Sequence, residues 1–207
     1  MNNKNPGGAG VGNKRSVLPD TNTEPRLTFD AEVHTYQFDG RKLPSVTQIV
    51  GDVCDTPMYA NEFHLHRGSM VHRCISLYLQ EKLDESSVDE RIKGRVESAK
   101  RAISILGLDG SGLIEVPKYH PNLLYAGTPD YFQDRLLVDW KNCHIINTEP
   151  QLGGYSELEK PGALNIDCVE VVLDPDGGLP KIIHYKGRRC RGIFLAMYTI
   201  YNWRQNG

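Results

Sequence analysis

Residues 125–141, YAGTPDYFQDRLLVDWK, predict the β-hairpin that decides the fold of this chain. Apolar and polar residues alternate on both sides of Asp134-Arg135, which is typical of two strands joined by a two-residue loop. Such a loop sets an antiparallel register that pairs Gln133 with Leu136 and, further along, Asp130 with Asp139. We therefore expect two carboxylates to face each other across the hairpin.

The charged face of this hairpin predicts a metal site. Because side chains alternate along a strand, Leu136, Val138 and Trp140 lie on one face, while Asp139 and Lys141 project from the other. Directly opposed residues have Cβ atoms about 5 Å apart, where two carboxylates repel each other unless a cation lies between them. Two converging carboxylates beside a lysine suit a hard divalent ion such as Mg²⁺. The alternative is that these charges lie on the solvated outer face of an antiparallel hairpin.

The elements around the hairpin indicate an α/β fold. Helices are predicted over 69–83 and over 88–106, where Gly107 provides the C-cap, and Ser45 is the predicted N-cap of an earlier helix. Strands are predicted over 34–39, 113–118, 123–133, 136–141, 166–173 and 181–185, and further helices over 151–159 and 189–204. This order predicts a mixed β-sheet flanked by helices.

Length and composition place the fold in one domain with a tail. The chain has 207 residues, which fits one domain with a sizeable core. Residues 1–25 are rich in Asn, Gly and Pro and poor in apolar side chains, so we expect a disordered N-terminal arm. The remaining 26–207 are predicted to form a single domain.

Charge excludes the simplest signature of a nucleic-acid-binding protein. The formal net charge is -2, from 24 Lys and Arg against 26 Asp and Glu, so the chain is not basic overall. Residues 181–207 nevertheless contain six Lys and Arg and no acidic residue. Within them, Arg188, Arg189 and Arg191 are candidates for contact with a nucleic-acid backbone. The aromatic residues among them suit single-strand contact or, alternatively, the core stripe of the last helix.

Cysteine spacing and hydropathy predict the cellular compartment of the protein. The five cysteines contain no C-x-x-C pair, which favours reduced thiols over a disulfide framework or a tight zinc or iron–sulfur site. No segment approaches the ~18 consecutive apolar residues of a membrane helix, and the N-terminus lacks the apolar region of a secretory signal. We expect a cytoplasmic protein without membrane contact.

Five segments together resemble the PD-(D/E)XK nuclease superfamily, specifically its RecB-like, phage-type exonuclease branch. Pro129-Asp130 resembles the first acidic motif, Asp139-Trp140-Lys141 the D-x-K motif, and Gln151-Leu-Gly-Gly-Tyr155 the Q-x-x-x-Y motif. Upstream, Arg67-Gly-Ser-Met-Val-His72 resembles the G-x-x-x-H segment, and Glu115 lies where the branch places a further acidic residue. The match spans residues 34–204, and the order and spacing of the motifs are more specific than any one of them. It implies a restriction-endonuclease-like core.

The resemblance implies a metal-dependent catalytic centre. Asp130, Asp139, Glu115 and His72 would be metal ligands for Mg²⁺, with Mn²⁺ as a substitute, and no iron–sulfur cluster is expected. Asp130, Asp139 and Lys141 would form the catalytic set, in which Lys141 positions the attacking water and stabilises charge on the phosphate. For Glu115 the alternative is a sheet-edge charge, and for His72 it is a solvated surface histidine.

The resemblance also implies nucleic acid as the substrate. Gln151 and Tyr155 lie at i and i+4 on one helix face, where they would contact DNA and support the metal site, although Tyr155 also suits ordinary core packing. Arg67 would contact a phosphate near a helix N-terminus, or would belong to a helix-entry turn. The expected activity is DNA exonuclease action in recombination or DNA processing. A structure-specific endonuclease and a non-cleaving DNA-binding module are the alternatives. By analogy, a recombination partner protein and a homo-oligomer are expected.

Overall fold

The computed structural model describes residues 27–30, 33–54 and 62–206. The predicted N-terminal arm, 1–25, lies outside these residues. Within the described part, the chain folds into ten strands and five α-helices. The strands are β1 (Leu27–Asp30), β2 (Thr35–Phe38), β3 (Arg41–Leu43), β4 (Leu113–Ile114), β5 (Lys118–Tyr119), β6 (Ala126–Gly127), β7 (Tyr131–Gln133), β8 (Leu136–Lys141), β9 (Asp167–Val172) and β10 (Lys181–Lys186). The helices are α1 (Val46–Val53), α2 (Glu62–Leu79), α3 (Glu90–Leu106), α4 (Thr148–Glu159) and α5 (Gly187–Asn206).

A five-stranded sheet forms the centre, with strand order β10-β9-β8-β7-β4. Strands β8 and β9 run parallel, and the other neighbours in this sheet run antiparallel. The connection between the two parallel strands contains α4, as a parallel pair requires a crossover. The predicted mixed sheet flanked by helices is therefore confirmed.

The register of the β7–β8 hairpin is the predicted one. Tyr131 pairs with Val138, and Gln133 pairs with Leu136, on either side of the Asp134-Arg135 loop. Asp134 adopts a left-handed φ of 53°, a conformation that aspartate tolerates better than most residues. The short loop therefore sets the alternation of side chains along both strands.

The two faces of the central sheet pack against different helices. On one face, Val138 and Trp140 belong to a core cluster with α2 and α3. On the other face, Leu137 belongs to a core cluster with α1, α4 and α5. The face that carries Asp139 is thus covered by α4, and the solvated alternative for this carboxylate is wrong because only 2% of its surface is exposed. Because both faces of the sheet are covered, a charged side chain on either face requires an ion-pair or hydrogen-bond partner.

Local signals explain several helix ends. Ser45 caps α1 as predicted, in a reciprocal capping box with Gln48, and Gly107 ends α3 with a left-handed φ of 65°. The predicted helix over 69–83 is shifted in the structure, where α2 covers Glu62–Leu79. Glu81 follows with a left-handed φ of 57°, which the continuing helix of the prediction could not accommodate.

Two predicted strands are broken. The strand predicted over 113–118 ends after Ile114, because Glu115 turns to a left-handed φ of 49°. The strand predicted over 123–133 is divided into β6 and β7, and β6 pairs with β5 in a separate two-stranded sheet. A third sheet, β1-β2-β3, packs Tyr36 and Leu43 against Ala126. These breaks place Glu115 and the small sheets around one end of the β7–β8 hairpin.

Candidate metal centre

Three elements bring a histidine and two carboxylates together. His72 lies on α2, Glu115 follows β4, and Asp130 directly precedes β7. One ligand atom from each residue lies within 4.8 Å of the other two. His72 Nδ1 is 3.1 Å from Asp130 Oδ1. Two carboxylates and an imidazole are a donor set that suits a divalent metal ion, and we call these three residues the metal cluster.

Asp130 is held in place from two sides. Its Oδ2 accepts a hydrogen bond of 2.9 Å from the backbone N–H of Trp140, so the carboxylate is tied to the neighbouring strand β8. Its backbone carbonyl accepts a 3.1 Å hydrogen bond from the N–H of Glu115. The same backbone therefore positions both acidic members of the metal cluster.

Glu115 occupies a strained backbone position. A left-handed φ of 49° is uncommon for glutamate and costs of order 1–3 kcal/mol. Burial and the charge of Asp130 both raise the pKa of Glu115. A strained, half-buried carboxyl beside another carboxyl is typical of a functional site. Glu115 also directly follows β4, an edge strand of the central sheet, as the sheet-edge alternative requires.

A second group of polar residues extends from the metal cluster along the face covered by α4. Lys141 Nζ lies 2.6 Å from Asp139 Oδ2 and donates a 3.1 Å hydrogen bond to Gln151 Oε1. Gln151 Nε2 in turn donates to Asp139 Oδ1 at 3.4 Å and to the Tyr155 hydroxyl at 3.1 Å. The D-x-K and Q-x-x-x-Y residues thus form one connected network, and Tyr155 also belongs to the apolar core. Asp139 is not among the three residues of the metal cluster.

The charges of the two groups are coupled. Burial and the nearby Asp130 raise the pKa of Asp139 to about 6, although Lys141 opposes this. Burial would raise the pKa of Asp130 as well, but His72 and Lys141 outweigh it and lower that pKa. Burial would lower the pKa of His72, but the charge of Asp130 and its hydrogen bond raise it to about 9. His72 is therefore protonated at neutral pH without a metal, and a metal ion that binds Nδ1 must displace that proton.

The predicted arginine contacts lie elsewhere. Arg67 lines a small pocket between α2 and α3 with Asp89 and Ile92. Arg189 Nε lies 2.9 Å from Glu149, and Arg191 forms an ion pair with the buried Glu157. These two pairs join α5 to α4. Arg188 is exposed on the first turn of α5. Their role in substrate binding stays a prediction, and for Arg191 the observed contact is structural.

Sequence reasoning missed a buried carboxylate beside the network. Glu170 on β9 has no exposed surface and pairs in parallel register with Asp139. It accepts a 2.7 Å hydrogen bond from the Tyr185 hydroxyl and lies 2.9 Å from Nδ1 of the half-exposed His144. The available signal was its position between Val169 and Val171, since a charge inside an apolar strand requires buried partners.

A cavity of about 460 Å³ opens on the metal cluster. The residues that line it come from α2, from β1 and its following turn, and from the segments around Glu115 and Asp130. They are Phe29, His34, Gly68, Ser69, His72, Arg73, Glu115, Thr128 and Asp130. The aromatic side chains and Arg73 were not predicted as site residues, because no local motif links residues so distant in the sequence.

Comparisons with protein-family models and with curated proteins found no match to this chain. The nuclease family therefore stays a prediction from the motifs. Among the described residues, every helix is too short or too polar to cross a bilayer. All five cysteines are free thiols, of which Cys168 and Cys190 are buried.

Proposed function

We propose that this protein is a metal-dependent deoxyribonuclease of the PD-(D/E)XK superfamily, with a restriction-endonuclease-like core. One observation supports this proposal above all others. His72, Glu115 and Asp130 come from three separate segments and line one cavity. The charges of Asp139 and Lys141 interact with that of Asp130. A lysine that is only 16% exposed and lies next to carboxylates can stabilise negative charge that develops during a reaction.

The protein's own residues have distinct roles in the proposed phosphodiester hydrolysis. His72, Glu115 and Asp130 would hold Mg²⁺ or Mn²⁺, with Asp139 completing the site from the opposite strand. When bound, the metal ion supplies Lewis-acid polarisation of the phosphate and a lower pKa for the attacking water. Lys141 would donate to a phosphate oxygen or to that water, since Asp139 and Gln151 hold its ammonium group in place.

The cellular setting follows from the same proposal. The protein would act on linear DNA, double- or single-stranded, as a phage-type exonuclease in recombination or DNA processing. It would act in the cytoplasm, which is the host cytoplasm if a phage encodes it. A recombination partner protein and a ring-forming or other homo-oligomer belong to the proposal by analogy alone.

A cleavage assay tests the proposal. We expect the wild type to degrade end-labelled linear DNA in Mg²⁺ or Mn²⁺ and to lose activity in EDTA. Asp130→Asn and Lys141→Ala should each lower kcat by at least about 100-fold. The matched control is Asp167→Asn, because Asp167 is an exposed carboxylate paired with His184 at the start of β9. Absence of cleavage by the wild type, or equal cleavage by all four proteins, contradicts the proposal, and cleavage of closed circular DNA would indicate an endonuclease.

A further inference from the structure

The cavity at the metal cluster has two chemically different walls. One wall is the metal cluster itself, with Ser69 and Arg73 of α2 beside it. Arg73 forms no ion pair with a carboxylate in the described part of the chain, and its charge acts on Glu115. The other wall is aromatic and consists of Phe29 and His34. A ligand that fills the cavity therefore meets groups for an anion on one side and flat rings on the other.

The aromatic wall is a stack with a rigid base. Phe29 lies on Tyr36 with ring centroids 4.6 Å apart and planes 23° from parallel. His34 meets Phe29 edge-on, at 5.3 Å and 89°. Tyr36 is only 1% exposed, so it supports Phe29 from behind while Phe29 faces the cavity. His34 holds a left-handed φ of 49° in the turn just before β2, a conformation that histidine adopts more readily than most residues.

A hydrogen bond connects this stack to the segment before β7 that carries Asp130. The Tyr36 hydroxyl and Thr128 Oγ1 are 2.8 Å apart, and Thr128 precedes Asp130 by two residues. Thr128 also lines the cavity. The separation between the aromatic wall and the metal cluster is therefore set by a partly buried hydrogen bond.

We propose that Phe29 and His34 form a nucleobase-binding site, which stacks on the base of the nucleotide whose phosphate lies at the metal cluster. This inference rests on the proposed nuclease function and deepens it. Aromatic side chains bind bases by stacking without sequence preference, because every base has a π face. Partial burial lowers the pKa of His34, which favours the neutral ring, and a neutral ring suits stacking better than phosphate contact.

The size of the cavity limits the class of substrate that can bind. Its volume of about 460 Å³ lies in the lower half of the ~300–1,000 Å³ range of small-molecule sites. One nucleotide with an unpaired base fits such a space, whereas a base still stacked within a duplex would have to leave its neighbours to enter it. The substrate class is thus a single-stranded or frayed end, which enters one nucleotide at a time.

The test compares a ligand that has a base with one that lacks it. Binding of deoxyadenosine monophosphate and of 2-deoxyribose 5-phosphate is measured by calorimetry in Mn²⁺, for wild type and for Phe29→Leu. We expect the wild type to bind the nucleotide about tenfold more tightly than the sugar phosphate, and Phe29→Leu to lose this preference while it keeps its affinity for the sugar phosphate. Phe29→Tyr should retain the preference, because it keeps a flat ring.

The control is Phe38→Leu, which removes an aromatic ring from the same small sheet. Phe38 packs on Tyr119, with ring centroids 4.2 Å apart, and does not line the cavity, so its loss should leave the base preference unchanged. Equal affinity of the wild type for both ligands, or equal loss of preference in both leucine variants, overturns the inference. This readout requires no cleavage, so it separates failure of the base site from failure of the nuclease proposal, which the DNA degradation assay reports.

Discussion

Asp139→Asn should stabilise the metal-free protein while it abolishes cleavage. The carboxyl of Asp139 has its pKa raised from 3.8 to about 6 by burial and by Asp130. A group whose pKa is higher in the folded state contributes stability that is present below about pH 4 and is lost as the pH rises through about 6. A difference of two pH units corresponds to about 3 kcal/mol. Asparagine resembles the protonated carboxyl, so the variant should not lose this stability.

The assay is urea unfolding of both proteins in EDTA at several pH values. We expect similar free energies of unfolding near pH 4, and a difference in favour of Asp139→Asn that grows between pH 4 and pH 6 to about 3 kcal/mol. Asp167→Asn is the control, because this carboxylate is exposed and its removal should give no such pH-dependent gain. Added Mn²⁺ should stabilise the wild type more than the variant, since binding to the folded state adds to its stability. A variant that is less stable than the wild type at pH 7 would refute the reasoning.

Three further substitutions test separate parts of the site. Glu115→Asn should weaken Mn²⁺ binding at least tenfold in calorimetry. The melting temperature should stay within a few degrees of the wild type, because asparagine tolerates the left-handed backbone. Unchanged affinity for Mn²⁺ would exclude Glu115 as a ligand. Glu170→Ala should destabilise the protein by about 3 kcal/mol in urea unfolding, because Tyr185 and His144 lose their buried acceptor, and a loss below about 1 kcal/mol would contradict this. Arg191→Ala should lower the free energy of unfolding by about 3 kcal/mol, because the buried Glu157 loses its arginine partner. The KM for DNA should not change. A raised KM at unchanged stability would support the predicted role of Arg191 in substrate binding.

The hairpin could be predicted because its determinants are local. Two residues, Asp134 and Arg135, separate two alternating segments, so the loop sets the register of β7 and β8. Asp130 directly precedes the residues that pair. Lys141 follows by alternation alone. The prediction of Gln151 and Tyr155 as site residues depended on the family resemblance. The structure shows the hydrogen bonds of Gln151 that join this pair to Asp139 and Lys141.

The features that sequence reasoning missed depend on contacts between distant residues. The left-handed φ of Glu115 depends on a hydrogen bond to the backbone of Asp130 and on burial. Both involve residues outside the local segment, so the sequence around Glu115 does not indicate this turn. The burial of Asp139 depends on α4, which folds back over the hairpin between β8 and β9. Phe29 reaches the cavity through the β1-β2-β3 sheet, whose position no periodicity predicts.

Three carboxylates on adjacent strands explain why the network should respond as a unit. Asp139 and Glu170 pair across β8 and β9, at the strand spacing of about 5 Å. Asp130 directly precedes β7, the strand on the other side of β8. Each carboxylate lies beside a basic side chain: His72, Lys141 and His144. Because charges so close together share their protons, removal of one partner changes the protonation of the neighbouring carboxylates as well. The free-energy changes for substitutions at Lys141 and Asp139 should therefore be non-additive in a double-mutant cycle, by 1 kcal/mol or more, about the range seen for residues in one ion-pair network. Additive changes would mean that Lys141 and Asp139 act independently, which is incompatible with their 2.6 Å ion pair and with the effect of Lys141 on the pKa of Asp139.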